Sequence, residues 1–380
     1  MSDLAALTAF RHALHRAPEV SRHEAKTARA VLAFTADSAP DRVLTGLGGH
    51  GVALEFQGAA DGPTVLIRCE LDALPIEETG RPDWVSAVPG KGHLCGHDGH
   101  MAIVAGLAFA LGRDRPARGR VVLLFQPAEE DGSGAAAVLA DPRFAEIAPD
   151  WAFALHNLPG LPLGAFVVEP GPANCASVGL RLVLNGRTSH AAEPDKAVSP
   201  ALALSRLIPG LAALGQGGAL TPDFRLVTVT HATMGEPAFG ITPGRAEIWA
   251  TLRTLTDDGM QALKEAALHL AGAEARAGGL ALTHDWHDDF AASTNAPEAV
   301  TRFRSAIAAA GIPLANGFGP MRASEDFGRL SAAARLGGAM AFLGAGETHP
   351  PLHAPDYDFP DSLIAPGVTA FLRVIRDLCG

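Results

Sequence analysis

The run Arg120-Val-Val-Leu-Leu-Phe-Gln126 is apolar through five consecutive positions and constrains the fold more than any other stretch. A strand with one wet face alternates apolar and polar residues. A strand covered on both faces does not, so this run predicts a parallel strand with layers above and below it. Thr64-Val-Leu-Ile-Arg-Cys69, Trp151-Ala-Phe-Ala-Leu-His156 and Gly338-Ala-Met-Ala-Phe-Leu343 read as further strands of the same kind. Helical spacing joins Leu4, Leu7, Phe10 and Leu14, and further helices are expected over about 21–34, 101–111, 298–310 and 361–379. The alternation predicts an α/β fold with a mixed, largely parallel sheet and helices on both of its faces.

From about Cys175 the pattern changes. Val178 to Asn185, Phe224 to Thr230 and Ala246 to Thr254 alternate as half-buried strands do, and Ala201 to Leu214 and Gly259 to Gly278 are helical. With a last strand through Ala281 to His287, the order strand, helix, strand, strand, helix, strand suggests an α+β sandwich. A chain of 380 residues is long for one core. The expected organisation is therefore a first domain in two parts, 1–174 and 291–380, with residues 175–290 inserted as a lid.

The strand ends carry the chemistry. Thr64 to Cys69 runs into Glu70-Leu71-Asp72, Arg120 to Gln126 into Pro127-Ala128-Glu129-Glu130-Asp131, and the third strand ends on His156. Three consecutive acids repel one another unless a cation or a raised pKa relieves them. The segment His93-Leu-Cys-Gly-His-Asp-Gly-His100 adds a thiol, three imidazoles and a carboxylate. Asp98 before the apolar run Met101 to Leu111 reads as a helix N-cap, which sets Cys95 and His97 at a loop-to-helix junction. A Cys-x-His pair alone fits an inert thiol beside solvated histidines equally well. Ligands of open α/β sheets, however, bind outside the carboxyl ends of the strands, where Asp72, Glu129, Glu130, His156, Cys95 and His97 can meet, and a metal site is the expectation.

A formal net charge of −11 with no basic stripe argues against nucleic acid or an anionic membrane as partner and leaves small-molecule chemistry. Four scattered cysteines suggest a reducing cytoplasm, and neither a signal-peptide pattern nor an apolar run of membrane-spanning length is visible. The cluster His284-Asp-Trp-His-Asp-Asp289 reads as the wet face of a strand. Gly48-Gly49 and Gly132-Ser-Gly134 form no phosphate-binding fingerprint, and the serines lack a nucleophile-elbow setting.

Eight segments occur together in order: Arg11-His-Ala-Leu-His15 through Pro18-Glu19, Glu70-Leu-Asp-Ala-Leu-Pro75, His93 to His100, Gln126-Pro-Ala-Glu-Glu130, His156-Asn-Leu-Pro159, Ser189-His-Ala-Ala-Glu-Pro194, Ser324-Glu-Asp-Phe327 and Leu352-His353. In these the chain resembles the amidohydrolase branch of the aminoacylase and carboxypeptidase clan of two-metal hydrolases, of the hippurate hydrolase and auxin-conjugate hydrolase type. The resemblance implies two divalent ions, with the Cys95 thiolate bridging them and His97, Glu130, His156 and His353 completing the ligands. It also implies that Glu129 carries the proton, that His190 stabilises the oxyanion, at times across a dimer interface formed by the lid, and that Arg253 meets a substrate carboxylate. Asp72 and His100 would support the ligands from behind.

Zinc or manganese is the expected metal, with cobalt and nickel acceptable to the same donors. Two departures bear on substrate choice. Gly240 stands where relatives carry Asn, and Asp195 follows Pro194 where relatives have Pro-His. The expected reaction is hydrolysis of the amide of an N-acyl amino acid or related small amide. A dipeptidase or carboxypeptidase would share the metal site, and a catalytically silent small-molecule receptor would have no use for Glu129.

Overall fold

The computed structural model describes residues 4–80, 83–317 and 319–380. The chain divides into two units, residues 1–173, 293–319 and 326–380 in the first and residues 174–292 with 320–325 in the second.

In the first unit the chain runs α1 (Leu4–Arg16), α2 (Ala25–Thr35), β1 (Arg42–Leu47), β2 (Gly51–Gln57), β3 (Ala60–Glu70), α3 (His97–Arg113), β4 (Arg118–Gln126), α4 (Gly134–Ala140), β5 (Trp151–Pro159) and β6 (Phe166–Val167). After the second unit come α7 (Pro297–Ala309), α8 (Phe327–Ala333), β13 (Gly338–Gly346) and α9 (Ile364–Cys379). The seven-stranded sheet has the order β1-β2-β4-β3-β5-β13-β6. Its centre, β4-β3-β5-β13, is parallel, and β1, β2 and β6 join antiparallel at the edges. The central strands are buried on both faces, as their unbroken apolar runs predict. Val65, Ile67, Val121, Leu123 and Phe153 point into one core with α1, α3, α7 and α9, while α4 and α8 pack near β4, β5 and β13.

Two local expectations are corrected. The second helix begins at Ala25 rather than near Ser21, and residues 21–24 form the turn that leads into it. Asp98 is not the N-cap of α3. That place belongs to Gly96, in the left-handed region at φ 91°, where an added Cβ would sit 2.2 Å from Asn157 Oδ1. The Asp98 carboxylate has stronger partners: the buried Arg11 guanidinium at 2.8 Å and His15 Nδ1 at 2.9 Å. Arg11 also pairs with Asp358 and Asp361, so α1 is tied to α3 and to the segment before α9.

The second unit consists of β7 (Ala176–Asn185), β8 (Ser189–His190), α5 (Ala201–Ala213), β9 (Arg225–Met234), β10 (Ile241–Thr242), β11 (Arg245–Thr254), α6 (Asp257–Ala277) and β12 (Ala281–Phe290). Its four-stranded antiparallel sheet has the order β9-β11-β7-β12. Alternation places Val178, Leu180, Leu182, Ile248, Ala250 and Leu252 in a core with Leu204, Leu207, Leu263 and Ala267 of α5 and α6. The other face carries polar residues, among them Arg181, Glu247, Asp285 and His287, whereas His284 pairs with Leu182 on the helix-covered face, so the two histidines of that cluster point to opposite faces. No helix among the described residues is long and apolar enough to cross a membrane.

Candidate metal centre

Burial at the carboxyl ends of β3, β4 and β5 leaves few ways to satisfy polar groups except through one another. Within the first unit, Cys95, His97 and His156 offer ligand atoms that all lie within 4.8 Å of one another, as do those of Cys95, Glu130 and His353, and those of His97, Glu129 and Glu130. Cys95 Sγ is 3.5 Å from His156 Nε2, and His97 Nε2 is 3.8 Å from both Glu129 Oε2 and Glu130 Oε1. His353 Nε2 lies 3.6 Å from Glu130 Oε2. It is the half-exposed member of a group whose other imidazoles are buried. The loop that follows β13 is held there by a backbone hydrogen bond from His353 N to Leu94 O.

Two of the three imidazoles, those of His97 and His156, have their other nitrogen committed. His97 Nδ1 lies 2.8 Å from the Asp72 carbonyl and His156 Nδ1 lies 2.7 Å from the Asn157 carbonyl, so both donate from Nδ1 and keep the Nε2 lone pair for the cluster. His97 Nε2 is buried without a hydrogen-bond partner among the described residues. His100 is different. Its Nε2 accepts from Asn157 N at 3.2 Å and its Nδ1 faces Glu70 Oε2 at 2.6 Å, so both ring nitrogens are occupied away from the cluster. Asp72 Oδ2 accepts from Glu130 N at 2.9 Å and from Ser21 Oγ at 2.7 Å, so this side chain holds the backbone of one cluster member while its carbonyl orients another.

The electrostatics fit a divalent cation. Burial pushes the Cys95 thiol well above its usual range, and the Glu130 and Glu129 carboxylates push it further. A nearby cation inverts that balance and stabilises the thiolate. Burial alone would lower the pKa of His97, yet Glu70, Glu130 and Asp72 outweigh it and push it up to about 9. The cluster therefore attracts positive charge, and one thiol, three imidazoles and a carboxylate at this spacing form a donor set suited to two ions.

The other residues singled out by sequence lie in the second unit. His190 on β8 is exposed, and its Nδ1 accepts from Ala192 N at 3.1 Å, which leaves the proton on Nε2. Gly240 is beside it in the short β8–β10 pairing: its carbonyl accepts from Ala191 N at 3.0 Å, and a Cβ there would meet open space. Arg253 on β11 donates to Ser324 Oγ at 3.0 Å and to the Arg322 carbonyl at 3.2 Å. Burial lowers its pKa, and no carboxylate among the described residues pairs with it. A half-buried guanidinium without a counter-ion is a receptive place for an anion.

Sequence reasoning passed over three groups around the cluster. Asn157 donates from Nδ2 to the buried Tyr357 hydroxyl at 2.6 Å, Arg68 joins Glu70 to Asp326, and Glu24 reaches the loop before Glu129. Arg68 lay inside the strand pattern of Thr64 to Cys69 and Glu24 inside the helix expected over about 21–34, while Asn157 follows the strand expected to end at His156.

Comparison with known proteins places this arrangement. Residues 66–377 match the description peptidase family M20/M25/M40. The chain is 30% identical over 361 residues to an N-acetyl-L-cysteine deacetylase of Bacillus subtilis (strain 168), covering 94% of this chain and 84% of that protein. It is 31% identical over 265 residues to an N-acetyldiaminopimelate deacetylase of Geobacillus thermodenitrificans (strain NG80-2), covering 70% of each. The solved structure of the YxeP protein of Bacillus subtilis, described as a dinuclear metal binding peptidase, superposes with a TM-score of 0.82 at 25% identity, covering 99% of this chain and 98% of that one.

Proposed function

Because the chain belongs to peptidase family M20/M25/M40, we propose that the amide it hydrolyses is that of an N-acyl amino acid, releasing a carboxylic acid and a free amino acid. It is a metal-dependent hydrolase of amide C–N bonds that uses two divalent ions. The observation that carries the finer reading is the convergence of Cys95, His97, Glu130, His156 and His353 with Glu129 at the carboxyl ends of the parallel strands.

Cys95, His97, Glu130, His156 and His353 would hold the ions. Ions bound there supply acidity to a water and polarise the amide carbonyl. Glu129 is the proton carrier: its carboxylate takes the proton of the attacking water and passes it to the departing nitrogen. Adjacent Glu129 and Glu130 divide the work because Glu130 faces His353 as well as His97. His190, protonated at Nε2, is the donor for the developing oxyanion, worth roughly 3 kcal/mol in such settings. Arg253 takes the substrate carboxylate, and the open space at Gly240 admits bulk that a side chain there would refuse.

The thiolate favours zinc, while the imidazoles and carboxylates also accept manganese, cobalt and nickel. A cytoplasmic location accords with four free cysteines. The second unit exposes Leu202, Phe239 and Ile241, at 70%, 106% and 54%, which supports a homodimer formed through it. Sedimentation at micromolar concentration is expected to show a dimer, and a monomer throughout would remove this part of the proposal.

The test of function is release of free amine from N-acetyl, N-benzoyl and indoleacetyl amino acids and from dipeptides, by metal-reconstituted wild type beside Glu129→Ala. Wild type is expected to hydrolyse N-acyl amino acids. The variant should keep its metal and lose about 10²- to 10⁴-fold in kcat. Turnover of dipeptides alone would replace the substrate class, and absence of any turnover would favour a silent binding protein.

A further inference from the structure

Glu24 is fully buried at the start of α2, yet its side chain does not cap that helix. Its Oε1 instead accepts two backbone N–H groups at 2.8 Å, from Arg22 and from Ala128. Both donors belong to residues in the left-handed region, Arg22 at φ 67° and Ala128 at φ 49°. Residues with a Cβ hold that conformation only where surrounding contacts impose it. One carboxylate oxygen thus fixes two unfavourable backbone turns, and the second of them immediately precedes Glu129.

Another N–H of this turn is fixed on the other side of Glu129. Glu130 N donates to Asp72 Oδ2, and Asp72 is in turn held by Ser21 Oγ. Arg22 Nε adds an ion pair to Asp131 at 2.8 Å. The turn closes through Gly134 N to Ala128 O and Gly132 N to Glu129 O, both at 2.8 Å. Arg22 and Glu24 therefore grip residues 128–131 at two points, Ser21 adds a third through Asp72, and the peptide orientation on each side of Glu129 is set from outside the loop.

We propose that Glu24 is a positioning residue of the metal centre: by holding Ala128 N–H it imposes the turn that aims Glu129 and Glu130 in different directions. The inference rests on the roles given above to those two side chains. Keeping a carboxylate buried here is unfavourable in itself, since burial and then the Asp72 charge raise its pKa. Its Oε2 has no hydrogen-bond partner among the described residues, so what the group contributes, it contributes through Oε1.

The test compares wild type, Glu24→Gln and Glu24→Ala by calorimetric titration of metal-free protein with Mn²⁺, and by kcat and KM on an N-acetyl amino acid. Gln keeps an acceptor oxygen at the same reach and is expected to stay within about threefold of wild type in both. Ala removes both hydrogen bonds. It is expected to weaken Mn²⁺ binding about ten- to hundredfold and to lower kcat comparably, with KM little changed. Should Glu24→Ala not fold, Glu24→Asp withdraws the acceptor by one methylene and carries the same expectation. A variant that loses thermal stability while metal affinity and kcat stay at wild-type values would overturn the proposal, and so would a Gln variant as impaired as Ala. Metal affinity is read without substrate, so a wild type that binds Mn²⁺ and hydrolyses nothing refutes the substrate assignment while the affinities still decide the role of Glu24.

Discussion

At the scale of single residues, the proposed centre rests on two imidazoles that commit one nitrogen so that the other is available. His97 and His156 donate through Nδ1 and keep Nε2, whereas His100 spends both nitrogens and drops out of the ligand set. The role proposed for Arg253 follows the same logic toward an anion: a half-buried cation whose hydrogen-bond partners among the described residues are a hydroxyl and a carbonyl. Arg253→Met is expected to raise KM for N-acyl amino acids about ten- to hundredfold with kcat nearly unchanged, because a uniform binding contact is removed. Steady-state kinetics on N-acetyl amino acids and the matching amides, which lack the carboxylate, checks this: the amides should not distinguish the two enzymes. Equal losses on both would place Arg253 outside carboxylate recognition.

At the scale of elements, the strand ends were legible because a short apolar run rich in β-branched and aromatic residues and bounded by turn residues reads as a strand covered on both faces, and whatever follows it must emerge at the sheet edge. The start of α3 was not. Asp98 satisfies the local rule for an N-cap, but Arg11 and His15, 87 and 83 residues earlier, take its carboxylate instead, and Gly96 makes the turn. Local patterns carry no information about partners that far away, and Glu24 escaped notice for the same reason. The α1–α3 tie has a pH signature. Burial works against the charge on His15, but Asp98 and Glu78 outweigh it and push its pKa up from 6.5 to about 9, with Arg11 opposing and His93 nearby. A raised folded pKa gives stability that is complete below 6.5 and lost as pH climbs through about 9, on the order of 3 kcal/mol in all. With metal kept saturating, the melting temperature should fall between pH 6.5 and 9.5, and His15→Gln should flatten that fall. An unchanged slope in the variant would contradict the assignment.

At the scale of the whole molecule, composition bounded the problem and topology solved most of it. A net charge of −11 pointed to small molecules, and the change of strand pattern near Cys175 marked where a second kind of sandwich begins. What composition could not supply is the segment Pro320–Glu325, which joins the second unit from across the sequence and brings Ser324 to Arg253. The central claim is that side chains from two strand ends and two loops of the first unit together hold two ions. Anomalous scattering from a crystal of the protein reconstituted with zinc tests it most directly. The account predicts two peaks, both bonded to Cys95 Sγ and shared among His97, Glu130, His156 and His353, with Glu129 and His100 outside the bonded set. A single peak, or zinc bonded to a different set of side chains, would contradict it.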